Sequence, residues 1–324
     1  MAGADTLDFY GHLTGKTILA SPALPRLPDS IIADLPDDTN AIPRLEKALA
    51  EQGLEVVYDG PHFVRLFPKG ARNSLTNAPL RGAELAASPG KEVLGPGMID
   101  FRQADLNQVL QIYSVLSQRS VLRSITLPAP TVSLKSQCPL SKEEARYAMA
   151  TVLALNGIRL VDDGSKFVQV VPMVQRDQVK TAAPIPEPGE KTFDPKKVPS
   201  MGGPNSRTFP PPPSKSLTDL ERVEREWERL RQAFYDFMHP SDPTKPAGRR
   251  LFELYARLAD KTAVPSPKFD GIGVWFRIET PVTKAELLYA IETTFTLNNL
   301  AIIPVGDDKI RLGHISEAPN KARP

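Results

Sequence analysis

The sequence predicts an α+β protein built from three small repeated modules, joined by proline-rich linkers and accompanied by one separate amphipathic helix. Three observations predict it. The segment from Gly53 to Pro68 aligns without a gap with the segment from Gly157 to Pro172, and each reads as strand, Asp-Gly turn and returning strand. A third stretch aligns with the second at one constant offset, matching Tyr113 to Tyr255, Leu116 to Leu258, Tyr147 to Tyr289, Leu155 to Leu297 and Gly164 to Gly306. Proline is present at about twice its usual share and is gathered in particular stretches, which marks those stretches as connections.

The first module is expected at residues 1–70. A short helix near 7–13 runs into Gly11-His12-Leu13-Thr14-Gly15-Lys16-Thr17. A phosphate loop needs four residues between its glycines and a strand before them. Here three residues intervene and a helix precedes, so the run reads as a helix end followed by a strand. The module closes with a hairpin turning at Asp59-Gly60, where glycine supplies the positive φ that such turns require. Residues 71–96 are small, polar and rich in glycine and proline, the composition of a linker.

The second module is expected at 97–173. A leading strand at 98–102 and a cap at Asp105 precede a helix at 106–117, whose Leu106, Val109, Leu110, Tyr113 and Leu116 follow helical spacing. Two strands follow, near 121–127 and 131–137. A second helix at 142–156 opens with Ser141-x-x-Glu144, a capping box in which the hydroxyl and the acid each satisfy an orphan amide. Gly157 suits a left-handed helix stop. A linker at 174–215 ends in four prolines, Pro210 to Pro213, read as a stiff spacer.

The separate helix is expected at 217–238, within a segment bounded at 216–239. Leu220, Val223, Trp227, Leu230 and Phe234 recur every three or four residues, and the opposite face is charged. Such a stripe needs a hydrophobic partner: the third module itself, a neighbouring subunit or another protein. The third module, 248–316, repeats the plan with a helix at 250–259, strands at 262–264 and 273–278, and a helix at 284–298 capped by Thr283-x-x-Glu286. A polar tail occupies 317–324.

The run Ile99-Asp100-Phe101-Arg102-Gln103-Ala104-Asp105-Leu106 and the run Pro139-Leu140-Ser141-Lys142-Glu143-Glu144-Ala145 carry a resemblance. They resemble the entries into the first and second helices of the periplasmic N-terminal domains of bacterial secretins, as in type II secretion. The resemblance covers the second module nearly completely, the third well and the first in part. It implies small βαββα units similar to the KH fold, stacked as periplasmic rings beneath an outer-membrane pore, self-associating and contacting secretion-system proteins and secreted substrates. In that family a pore-forming β domain follows the repeats, whereas here the third module ends near Ile315. The expectation is therefore a fragment of a secretin or an accessory protein built from the same modules, located in the periplasm and associated with the outer membrane.

Charge and chemistry point away from catalysis. The net charge is +2, which gives no broad basic field for nucleic acid. A KH-like nucleic-acid binder would need a Gly-x-x-Gly loop between its helices, and no module has one there. Cys138 is the only cysteine, so neither a disulfide within the chain nor a multi-thiolate metal site can form. His12, His62, His239 and His314 are scattered without ligand spacing. Asp162-Asp163 and Asp307-Asp308 fall at hairpin turns, where acids bond the local backbone. No hydrolase or protease signature occurs. No apolar run approaches the ~20 residues of a membrane helix, and Met1 to Asp5 lack a signal peptide's features. The sequence therefore predicts no enzyme, no cofactor and no metal.

The expected interaction surfaces are the charged face of the second helix, Lys142 and Arg146, and the stripe Leu220, Val223, Trp227, Leu230 and Phe234. The strands near 121–127, 131–137 and 273–278 are candidate open edges. An oligomeric ring is the leading expectation. The alternatives are a monomeric adaptor binding through the 217–238 helix and a KH-like nucleic-acid binder.

Overall fold

The computed structural model describes residues 2–22, 24, 40–70, 81–87, 92–164, 166–173, 183–186, 190–194, 228–229, 231–237 and 244–318. It is a mixed α+β structure of small sheets. By contact the chain divides into two compact units: Met1–Gln118 with Leu127–Val161 and Val170–Arg176, and Arg119–Thr126 with Asp162–Gln169 and Asp177–Pro324.

In the first unit, α1 (Ala2–Thr14) stops where Gly15 takes a positive φ, and β1 (Thr17–Ala20) follows at once. The glycine-rich run is thus a helix end and a strand start. The helix is about a turn longer at its start than the spacing suggested. Next come α2 (Ala41–Glu51) and the hairpin of β2 (Leu54–Asp59) and β3 (Phe63–Pro68). β1 pairs parallel with β3, and β2 pairs antiparallel with it, in the order β1-β3-β2. Tyr10, Ile18, Leu45, Leu49, Leu54, Val64 and Leu66 form the core between this sheet and its two helices.

The 71–96 connection is more than a spacer. It contains α3 (Gly82–Ala87) and β4 (Val93–Leu94), which pairs with β8 (Leu140–Ser141). Then β5 (Asp100–Ala104) leads to α4 (Leu106–Ser117), capped by Asp105, whose carboxylate accepts from the Gln108 N–H at 2.9 Å. α4 buries Leu106, Val109, Leu110 and Tyr113, as the spacing predicts. β5 pairs antiparallel with β7 (Val132–Lys135). Then α5 (Lys142–Leu155) begins at a complete Ser141–Glu144 capping box.

The second sheet has the order β6-β10-β9, from β6 (Ser120–Arg123), β9 (Ile158–Asp163) and β10 (Phe167–Pro172). The third has the order β11-β13-β12, from β11 (Thr262–Val264), β12 (Leu300–Pro304) and β13 (Lys309–His314), with the same parallel and antiparallel pairings as the first. Ahead of β11 lies α6 (Ala247–Leu258), and ahead of β12 lies α7 (Lys284–Leu297), which opens with the Thr283–Glu286 capping box.

The strand expected at 273–278 does not form. Only Phe276 makes an isolated bridge, to Leu122. In the second copy β7 owes its ladder to β5, whereas the equivalent residues ahead of α6, Thr244 to Pro246, are not a strand. A strand without a partner leaves its backbone groups unpaired and does not persist.

Of the helix expected at 217–238, residues 228–229 and 231–237 are described, and they are helical. Phe234 is buried there in the core of the second unit, its ring 4.7 Å from that of Phe193. Leu220, Val223, Trp227 and Leu230 lie outside the described residues.

Candidate functional site

The pattern of burial locates the site. An antiparallel hairpin with one solvated face alternates buried and exposed residues. β3 and β10 do not alternate: Phe63 to Phe67 and Phe167 to Val171 are buried throughout. Val64 and Leu66 face the helices of their own sheet. Phe63, Arg65 and Phe67 therefore lie on the opposite face, which something else must cover.

In the first unit α5 covers it. The Tyr147 ring meets Phe63 edge-on, with centroids 5.6 Å apart, and the Arg65 guanidinium lies over the same ring at 5.6 Å. Arg65 is a cation in the middle of a buried strand, with 1% of its side chain exposed, so it needs an anion. Asp59, at the end of β2 and equally buried, accepts from Arg65 Nε at 2.8 Å. The same carboxylate accepts the Tyr147 hydroxyl and, at 2.8 Å, the backbone N–H of Gly82. The N–H of Arg81 donates to the Tyr147 oxygen at 3.0 Å. Burial pushes the Tyr147 phenol above its ordinary range, against the pull of the Arg81 N–H. The phenol thus stays protonated and able to donate. One turn earlier on α5, Glu144 meets His62 Nδ1 at 2.6 Å while its other oxygen accepts the Ser141 N–H at 2.9 Å. At the edge, the Gln137 N–H donates to Thr17 Oγ1 at 3.2 Å.

The second unit holds the same arrangement at the aligned positions. The Tyr289 hydroxyl donates to Asp163, and Gln169 Nε2 donates to the same oxygen at 2.5 Å. The backbone N–H of Ala183, from the 174–215 connection, donates to the other oxygen at 2.9 Å. Phe167 packs on Tyr289 at 5.9 Å. Glu286 takes Lys166 Nζ at 2.7 Å and keeps its own cap bond to the Thr283 N–H. The Glu279 N–H donates to Ser120 Oγ at 2.9 Å. Phe193 exchanges backbone hydrogen bonds with Val282, as β4 does with β8 in the first unit.

Each site is thus a buried carboxylate that takes a tyrosine from a later helix, a side chain from the facing strand of its hairpin and an N–H from the intervening connection. It joins three segments remote in sequence. These donors are turned on one another, which suits holding surfaces together. Among the described residues no group of three His, Cys, Asp or Glu could hold a metal, and no helix is long and apolar enough to cross a membrane.

Of the residues singled out in the sequence, Lys142 is half-buried and paired with Glu92, and Arg146 is half-buried; neither lies on a fully exposed face. The edge of β1 is buried along Thr17 to Leu19, and that of β6 along Ser120 to Leu122. Asp59, Asp163, Tyr147 and Tyr289 were missed. Asp163 was read as a turn residue bonding the local backbone, but it is buried and bonded to residues far along the chain. His62, which the sequence shows only as a histidine without ligand spacing, is paired to a buried acid. The available signal was in the alignment itself. The acid recurs in the first two copies and is Val305 in the third; the tyrosine recurs in the last two and is Pro43 in the first.

No known protein-family model matches the chain, and no curated protein matches its sequence.

Proposed function

We propose that this chain is a non-catalytic, self-assembling scaffold made of three repeated KH-like modules of the secretin N-domain kind, serving protein secretion as periplasmic rings of, or beneath, an outer-membrane secretin. One observation carries the reading: the same sheet-to-helix contact is built twice, by aligned residues, between one copy's sheet and the next copy's second helix. A module that covers its neighbour's sheet in this way is an assembly unit. Repetition of modules supplies several such units per chain, and further copies of the chain can continue the series.

The polar groups support a scaffold over an enzyme. Asp59, Arg65 and Tyr147 have the mixture of acid, base and hydroxyl that catalysis uses, but they are turned on one another inside a contact. The partners the reading implies are further copies of this chain, secretion-system proteins and secreted substrates. The monomeric-adaptor reading is weakened by Phe234, whose ring is spent in the chain's own core.

Negative-stain imaging of the purified full chain tests the proposal. Closed rings of uniform diameter are expected. Isolated particles of monomer size at every concentration would overturn it.

A further inference from the structure

Among the described residues, the repeated contact leaves one half unused at each end of the series. In the first two sheets the parallel edge strand is buried, at Thr17, Ile18 and Leu19 and at Ser120, Val121 and Leu122. On β11, the same strand of the third sheet, Thr262 is exposed and Ala263 and Val264 are half-exposed. The covered face of β3 and β10 also opens in β13, where Lys309 is exposed and Arg311 half-exposed. At the other end, α2 buries Ala41, Leu45 and Leu49, which align with the buried Ala145, Met149 and Leu153 of α5. Its outer positions Pro43, Lys47 and Glu51 are exposed, whereas Tyr147, Thr151 and Leu155 at the same places on α5 are half-buried or buried.

The two unused halves have changed together. The Asp–Tyr pair of both occupied contacts becomes Val305 on the third sheet and Pro43 on α2, apolar on both sides. An aspartate opposite Pro43 would lose its hydroxyl donor, and a tyrosine opposite Val305 would lose its acceptor. The cation–Glu pair becomes Asp308 and Asn40, so the acid moves to the sheet and a neutral donor stands on the helix. Exposed Asp307 and Asp308 rim the sheet half, and Lys47 stands exposed on the helix half.

We propose that α2 of one copy docks on the open third sheet of a second copy of this chain, with Pro43 against Val305 and Asn40 against Asp308. This rests on the self-assembly reading above and specifies its interface. The contact is heterologous, so it joins copies head to tail and yields a ring when the rotation closes.

The test uses sedimentation of the full chain with two variants, Pro43→Glu and Val305→Arg. Each puts a charge into an apolar pairing and faces it with like charge, Asp307 and Asp308 for the glutamate and Lys47 for the arginine, and both positions are exposed, so the folds are expected to keep the wild-type circular dichroism and melting midpoint. Each variant alone is expected to self-associate at least tenfold more weakly than wild type. An equimolar mixture still has one intact helix half and one intact sheet half, and is expected to form dimers and nothing larger. In parallel, Asn40→Cys with Asp308→Cys in one chain is expected to give disulfide-linked oligomers on oxidation. Variants that assemble like wild type, a mixture that stays monomeric, or a disulfide formed only within single chains would each overturn the head-to-tail contact. Unaffected variants would leave the scaffold reading standing, whereas a wild-type chain that never associates would remove both.

Discussion

Tyr147 donates its hydroxyl to Asp59, the carboxylate that also holds Arg65 Nε at 2.8 Å. Three groups that would each be costly to bury alone are thereby buried together, and Tyr289 repeats the bond to Asp163. The contact is high-stakes, because removing one member strands the others.

Asp59→Ala should show this most sharply. It leaves Arg65 buried without its anion, and breaking such a buried pair costs about 3–5 kcal/mol. Tyr147→Phe removes one hydroxyl and keeps the ring on Phe63, so its cost should be nearer ~1 kcal/mol. Urea unfolding of the full chain checks the order. A smaller loss for Asp59→Ala than for Tyr147→Phe would contradict the assignment.

Alkaline pH should release the tyrosines. Burial raises the phenols of Tyr10, Tyr58, Tyr147 and Tyr255, each further raised by a hydrogen bond to a carboxylate. A raised folded value means that the native state holds the proton more tightly than the unfolded one. That stability is fully present below about pH 10, the ordinary phenol value, and is lost as pH rises from there. Melting midpoints should be level up to that point and then fall, and Tyr147→Phe should shallow the fall. An unchanged slope in the variant would count against a protonated Tyr147 in the contact.

Gly82→Ala offers a test by sign. Replacing glycine by alanine within a helix ordinarily stabilises by about 0.5–1 kcal/mol. A Cβ on Gly82 would come within 2.0 Å of the Asp59 carbonyl oxygen, which is backbone and cannot step aside cheaply. The Gly82 N–H to Asp59 bond would be pushed apart with it. A lower melting midpoint is expected, and a higher one would show that α3 is not seated on the Asp59 turn.

Phe234→Ala separates a core role from a docking role. Its ring is 3% exposed and packs against Phe193. Emptying that site should destabilise the chain by about 3–5 kcal/mol. A variant as stable as wild type would mean that the helix serves a partner instead.

Much of this fold is legible in the sequence, because its strongest signals are local. Gly60, Gly164 and Gly306 take the positive φ that the hairpins require, and Ser141, Thr283 and Asp105 form the capping boxes their spacing announces. The sites were less legible for a physical reason. Glu144 and Glu286 satisfy a local motif completely, so nothing in it reveals their second partners, His62 and Lys166. Asp163 sits where turn acids are common, and only tertiary burial turns it into an acceptor for Tyr289. The linkers misled by composition, since Ala183 docks through a backbone N–H that any residue but proline carries, and Phe193 is a lone aromatic in a proline-rich run.

The most direct test of the central claim is sedimentation velocity of the full wild-type chain across a wide concentration series. The account predicts that monomer gives way to one large species of uniform mass as concentration rises. A monomer at every concentration would contradict it.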